Sequence, residues 1–389
     1  MKGPFILTFV FTLLIYIGIN AYIFIRGWQA MEWVAKPLRR AIIGIASLMP
    51  LLFVGLFFTR RFFENVLIDT GWAIGSEWIA AMLYFLMAVI IIDLLRLVLR
   101  IMGKRPARLF GEHYASVKFF IFLCINIAVV VTLYIGRLNA VEPFVNRVEL
   151  TIEKEAPGRD SLTVVLISDL HLGPINDYSS LQRWVKAINE LSPEVVLIAG
   201  DIVDDTPQSM EIRQMGELLA QIKASIGVYY VQGNHEMYGD FPRTLRYIEA
   251  CGITPLLDTA LLVDNSFYLI GRLDRAGGRG FQINQRCKTL EELLVGVDHS
   301  KPLILIDHQP RGFDKVEAAG IDLQLSGHTH GGQLWPFTLL VRPTYELCHG
   351  HLQKGNTHFF VTEGLGCWGP KVRIGTRAEI AFFTLRFKP

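Results

Sequence analysis

The chain has 389 residues, of which 51% are hydrophobic and only 19% charged, with a formal net charge of +2. A mean hydropathy of +0.35 is too apolar for an ordinary soluble enzyme, and the near-neutral charge gives no reason to expect nucleic acid as a partner. Five cysteines without a CxxC spacing exclude a dense disulfide framework, and free buried thiols are expected.

The apolar excess sits at the front. Pro4 to Ile25 is an uncharged run of 22 residues, long enough to cross roughly 30 Å of hydrocarbon as a helix. It continues into Tyr22, Phe24 and Arg26 rather than a small-residue cleavage site, so it reads as an uncleaved span. Ala41 to Phe58 and Phe119 to Gly136 are uncharged runs of 18 residues each. Between them, Trp78 to Ile92 is apolar, but Asp93 and Arg96 follow before Leu97-Val98-Leu99. That span either ends near Asp93 or carries the pair, three residues apart, on one helical face. Four spans are expected, with three as the fallback, near 4–25, 41–58, 78–99 and 119–136, making residues 1–137 a helical anchor. They lack the repeated polar residues and Gly/Pro breaks of a transport site.

Basic residues orient these spans. Arg26, Lys36, Arg39 and Arg40 fall between the first and second, and Arg96, Arg100, Lys104, Arg105, Arg108 and Lys118 between the third and fourth. The other side carries Lys2, Arg60, Arg61, Arg137 and Arg147. Basic connections stay in the cytoplasm, so the bias expects a multi-pass protein of the cell membrane with both termini, and residues 138–389, outside the cytoplasm.

From about Leu138 short β-rich runs alternate with amphipathic stretches. Val148 to Ile152 reads as a half-exposed strand, and Leu162 to Ile167, Val195 to Ala199, Val228 to Val231, Leu303 to Ile306 and Leu323 to Leu325 read as buried strands. Tyr178 to Leu191 and Met210 to Lys223 have helical spacing. Successive strand-helix units imply a parallel sheet with right-handed crossovers, and sites in such sheets form at the carboxyl ends of strands.

Five short blocks fall at those ends: Asp169-Leu170-His171, Gly200-Asp201, Gly233-Asn234-His235-Glu236, His308, and Gly327-His328-Thr329-His330. Any one is ordinary turn chemistry, but together they hold five of the ten histidines and enough oxygen and imidazole ligands for two metal ions. Asp201 suits a bridging position, since a carboxylate has two oxygens to share and an imidazole one lone pair. In an extended loop His328 and His330 would point the same way.

In order and completeness these blocks resemble the calcineurin-like metallophosphoesterase superfamily, over roughly residues 140 to 389. Ser168 to Gly173, Gly331-Gly332-Gln333 and Gly369-Pro370-Lys371-Val372-Arg373 look like its bacterial, often membrane-associated branch. The resemblance implies a two-sheet sandwich flanked by helices, an α/β/β/α arrangement. It implies that Asp169, His171, Asp201 and His330 hold one divalent ion and Asp201, Asn234, His308 and His328 the other. Mn is the working choice, with Fe or Zn also compatible with the ligands. The expected reaction is hydrolysis of a phosphomonoester or phosphodiester by a hydroxide held between the ions, with His235 protonating the leaving oxygen and Asp204 orienting His235.

Substrate identity is less legible. Arg272, Arg275 and Arg279 are either phosphate partners or solvated loop residues. Trp335-Pro336-Phe337 and Cys367-Trp368-Gly369 read first as core aromatics, and otherwise as an apolar lip facing the bilayer. Proximity to the membrane favours a lipid-linked or envelope phosphoester. The alternative function is a membrane sensor or scaffold whose phosphoesterase domain is inactive.

Overall fold

The computed structural model describes residues 2–60, 63, 65–204, 210–211, 214–237, 240–274 and 287–388, without the side chains of 2–6. Arg61, Arg275, Arg279 and the stretch 277–280 lie outside the described residues. The chain divides into two units, residues 1–135 and 136–389.

The first unit is helical: α1 (Lys2–Ala30), α2 (Lys36–Thr59), α3 (Val66–Ile101), α4 (Pro106–Phe110) and the greater part of α5 (Tyr114–Val141). Four segments, Leu7–Ala30, Lys36–Thr59, Val66–Ile101 and Pro106–Val141, are long and apolar enough to cross a membrane. Inside the unit Trp78 packs with Ala81, Val129, Phe24 and Phe85, and its ring N–H donates to Asn20 Oδ1 at 2.9 Å, so the one polar end of this large side chain is satisfied.

The third helix starts earlier than its apolar run. Asn65 caps it, its side chain accepting from the amides of Leu67 and Ile68 at 3.0 Å, and Asp69 in the first turn complements the helix dipole. Hydropathy could not register this turn because its capping logic is polar. At the other end α3 continues through Asp93 and Arg96, which pair at 3.1 Å, so the helix carries both.

The second unit contains β1 (Phe144–Ile152), β2 (Ser161–Ile167), α6 (Tyr178–Glu190), β3 (Val195–Ala199), α7 (Met215–Leu219), β4 (Gly227–Val231), α8 (Phe241–Ala250), β5 (Thr254–Pro255), β6 (Thr259–Val263) and β7 (Phe267–Gly271). After them come α9 (Leu290–Leu293), β8 (Leu303–Ile306), α10 (Phe313–Ala318), β9 (Leu323–Ser326), α11 (Phe337–Val341), β10 (Gly350–Lys354), β11 (Thr357–Val361) and β12 (Glu379–Phe387). Two six-stranded sheets result, ordered β1-β12-β2-β3-β4-β5 and β10-β11-β9-β8-β7-β6.

Strand alternation explains the layers. Leu166, Leu197 and Val231 on one sheet share a core with Ile304, Leu325 and Phe360 on the other. Val165, Ile167, Val196 and Ile198 face the opposite way, onto Trp184 and Ile188 of α6. Ile270, Leu303 and Leu305 pack against Phe313 and Val316 of α10. These are the helix-sheet-sheet-helix layers the resemblance implies. The sheets are mixed rather than purely parallel: β12 runs antiparallel to β2, β6 to β7 and β10 to β11.

One helix is interrupted. Within the stretch 210–223 Met210 and Glu211 are helical and Met215–Leu219 forms α7, while Gln214 between them has φ 53°, a left-handed conformation that a continuous helix cannot contain.

The strands β2, β3 and β4 run parallel, as do β8 and β9, and their carboxyl ends carry the five blocks. The sandwich that aligns them depends on inter-sheet contacts such as the edge-to-face pair of Phe360 and Phe383, 5.0 Å between centroids. Phe383→Ala is expected to cost about 3–5 kcal/mol, read as a lowered thermal-unfolding midpoint of the purified protein, whereas the exposed Glu249→Ala should stay within about 0.5 kcal/mol of the parent.

Candidate metal centre

The loops after the strands prolong the strand pairing by main-chain bonds. Asp169, His171 and Leu172 donate to the carbonyls of Gly200, Asp201 and Ile202 at 3.0, 3.0 and 2.8 Å, and Gly327 donates to His308 O at 3.0 Å. Asp169, His171, Asp201, His328 and His330 all have positive φ. For residues with a Cβ this conformation costs about 1–2 kcal/mol each, so the surrounding bonds must hold them there. The same finding corrects the expected geometry of His328 and His330: they leave a tight left-handed turn rather than an extended loop. Two glycines permit the close approach. A Cβ on Gly233 would meet the Asp201 carboxylate, and one on Gly327 would meet Ser168 Oγ and the Asp169 carboxylate.

Among the described residues the side chains gather in three groups capable of holding an ion, Asp169/His171/His330, Asp201/His308/His328 and, sharing His171 with the first, His171/Asp204/His235. In the first, the Nε2 atoms of His171 and His330 lie 3.1 Å apart, and His330 Nε2 is 3.5 Å from Asp169 Oδ1. In the second, His308 Nε2 is 3.0 Å from Asn234 Oδ1, 3.2 Å from His328 Nδ1 and 3.3 Å from Asp201 Oδ2. The other ring nitrogen of His308 lies 2.7 Å from Ala199 O, and only a protonated Nδ1 can bond a carbonyl, which leaves the Nε2 lone pair of the neutral ring directed at three further acceptors. Asp201 Oδ1 accepts from the His235 amide at 2.8 Å, while Oδ2 lies 3.3 Å from His308 and 3.9 Å from His171. A single oxygen therefore faces both groups. Acceptors so concentrated are stable only around positive charge, and oxygen plus imidazole donors fit divalent transition ions.

Electrostatics agree. Burial opposes ionisation of Asp201, yet His308 and His171 hold its pKa well below the usual carboxylate range. Burial likewise opposes a charged His308, yet Asp201 and Asp169 hold its pKa well above the imidazole range. Burial, aided by the charge on His308, pushes His328 down to about 4, and burial pushes His330 down to about 3. Burial opposes a charged His171 too, yet Asp204 and Asp201 beside it raise its pKa, so the carboxylates favour positive charge within the cluster.

Two buried residues hold this arrangement. Glu236 accepts from the amides of Asp201 and Val203 at 3.1 Å and of Gly233 at 2.8 Å, tying two ligand loops together. Burial and the nearby Asp201 raise its pKa. Arg373, fully buried, donates to Gly364 O at 3.1 Å and lies 3.3 Å from His330 Nδ1. Glu236 stood within a motif and Arg373 ended another, but neither residue type declares that its partners are main-chain groups far away in sequence.

His235 and Asp204 adjoin the first group. The rings of His171 and His235 meet edge to face, 4.5 Å apart. His235 Nδ1 is 2.6 Å from the main-chain carbonyl of Asp204, so Nδ1 carries the proton of that bond. The Asp204 carboxylate lies farther off, 3.5 Å from Nδ1 of both His235 and His171. The carbonyl is thus the nearer orienting group, where sequence reasoning expected the carboxylate. Arg272 pairs with Asp307 at 3.0 Å. Trp335 and Trp368 are 44% and 62% exposed, which corrects their first reading as core.

Residues 162–332 match the calcineurin-like phosphoesterase family. The chain carries a calcineurin-like phosphoesterase domain. It is 34% identical over 276 residues to a transmembrane protein with metallophosphoesterase domain from Danio rerio, covering 68% of this chain and 62% of that one. An uncharacterised metallophosphoesterase of Campylobacter jejuni is 29% identical over 346 residues, 87% of this chain and 89% of its own. One from Helicobacter pylori is 31% identical over 58% of this chain and 60% of its own. The chain thus spans about three fifths of the Danio rerio and Helicobacter pylori proteins.

In the phosphoesterase domain Glu236→Gln removes one of the two acceptor oxygens that tie the loops. Metal affinity should fall about 10–100-fold, measured by metal content after equilibration with buffered Mn²⁺, with the circular dichroism spectrum retained.

Proposed function

We propose that this protein is a membrane-anchored, dinuclear-metal phosphoesterase acting on an amphiphilic phosphoester. The observation that carries the reading is Asp201 Oδ2, which lies between the two histidine groups. Asp169, His171, Asp201 and His330 would hold one ion and Asp201, Asn234, His308 and His328 the other, with Mn the expected metal. Two such ions supply charge neutralisation for phosphoryl oxygens and lower the pKa of water. The domain's own residues do the rest. Asp201 Oδ1 accepts from the His235 amide, which holds the carboxylate with Oδ2 facing both groups. His235, held through Nδ1 by the Asp204 carbonyl, keeps Nε2 for proton delivery to the leaving oxygen, and 14% exposure of its side chain leaves it accessible to substrate. The Asp204 carboxylate, 3.5 Å from Nδ1 of both His171 and His235, is placed to accept from either ring.

The lipid character of the substrate is supported by an apolar surface beside the site. Trp335, Phe337, Leu339, Leu340 and Trp368 are exposed. Gln333 joins the two ends of this surface, accepting from the Trp368 amide at 2.9 Å and donating to its carbonyl at 3.1 Å, three residues from His330. Such a patch fits hydrocarbon better than a nucleotide. The four apolar helices support a multi-pass anchor, and the basic bias of their connections supports an extracytoplasmic catalytic domain.

Hydrolysis of chromogenic phosphate mono- and diesters by the detergent-solubilised protein tests the reading. Turnover should need Mn²⁺ or a related ion and disappear with chelator and in Asp201→Asn; absence of turnover in metal-loaded protein would favour the sensor alternative. His235→Ala should lower kcat about 10²–10⁴-fold at unchanged metal content, and Asp204→Asn, which keeps the carbonyl bond, should lower it less. Replacing Trp335 and Trp368 by Ser should reduce kcat/KM for a phospholipid in mixed micelles by about tenfold or more, well beyond its effect on a soluble ester. Equal effects on both would remove the support for a lipid substrate.

A further inference from the structure

The helical unit contains a site that phosphoester chemistry leaves unused. A cavity of about 250 Å³ lies among α1, α2, α3 and α5, walled by apolar side chains that include Ile43, Ala46, Trp78, Val89 and Ile125. Arg26, Asp93, Arg96 and Lys118 line it too, and the same four residues line a second cavity of about 600 Å³. The two spaces adjoin, one apolar and one polar.

The polar vestibule belongs to one end of the unit. Arg26 is near the end of α1, Arg39 near the start of α2, Arg96 and Arg100 near the end of α3, and Lys118 near the start of α5. These five cations face two carboxylates, Glu32 and Asp93, in the vestibule wall, an excess of three positive charges. Both carboxylates are already engaged. Asp93 takes Arg26 at 2.5 Å, Arg96 at 3.1 Å and the Tyr22 hydroxyl at 2.6 Å, and Glu32 pairs with Lys118. Three of the five, Arg26, Arg96 and Lys118, line the apolar chamber as well, where excess charge is costly without a counter-ion.

We propose that this pair of cavities binds one anionic lipid, its phosphate headgroup among Arg26, Arg39, Arg96, Arg100 and Lys118 and part of a hydrocarbon chain in the apolar chamber. Basic pockets between membrane helices suit such headgroups, and the adjoining apolar space selects an amphiphile over free phosphate. The site is independent of the metal centre, so its test does not rest on turnover.

The full chain in detergent is titrated with dioleoylphosphatidylglycerol, dioleoylphosphatidylcholine or inorganic phosphate, and bound lipid is counted by native mass spectrometry. One phosphatidylglycerol per chain is expected, held more tightly than phosphatidylcholine and not displaced by inorganic phosphate. Arg100→Gln, at an exposed position, and Lys118→Gln should each weaken phosphatidylglycerol about fivefold with little effect on phosphatidylcholine. Ala46→Phe, which fills the chamber and leaves every cation in place, should weaken phosphatidylglycerol as well. Equal retention of the two lipids, displacement by phosphate, or indifference to both Arg100→Gln and Ala46→Phe would overturn the proposal.

Discussion

A buried carboxylate surrounded by lone pairs is the constraint on which the catalytic unit depends. Asp201 is almost fully buried, with one oxygen fixed by an amide and the other facing two groups of imidazoles. Without positive charge such a cluster repels itself, and with it the same atoms become mutually supporting. The fold must therefore bring acceptors together against their electrostatic preference and keep them there. Much of what is unusual in the unit follows: ligands with positive φ, glycines where no Cβ fits, and a buried Glu236 that accepts from three main-chain amides.

The two-sheet architecture makes this possible at modest cost. Each sheet delivers its ligands from the carboxyl ends of parallel strands, where the chain must turn in any case, and the core between the sheets sets their spacing. Asp169, His171, Asp201 and Asn234 come from one sheet and His308, His328 and His330 from the other, so the groups Asp169/His171/His330 and Asp201/His308/His328 each need both sheets. Buried Arg373 and Glu236 then hold the loops from both sides. The helical unit shows the complementary situation, with cations concentrated at the edge of an apolar space rather than acceptors around a cation.

Much of this was legible along the chain. Buried strands announce themselves as unbroken apolar runs, and Val195–Ala199 and Leu303–Ile306 begin and end where their patterns do. The metal-binding residue types were legible because few combinations of Asp, Asn and His at successive strand ends have another use. Met210 to Lys223 misled because helical spacing says nothing of a left-handed residue at Gln214. The aromatics near the site misled because large apolar residues are usually buried, and only packing reveals which ones remain exposed.

By itself, then, the sequence determined the kinds of elements, the apolar helices at the front and the donors available for metal, since each is a property of residue type and local periodicity. Tertiary structure alone decided which oxygen of Asp201 faces both groups, that the Asp204 carbonyl rather than its carboxylate lies nearest His235, and that Glu236 and Arg373 secure the loops. Those are matters of direction and distance between segments far apart in the chain. Local pattern cannot encode them, because a side chain's partner is fixed only when the sheets close on their shared core.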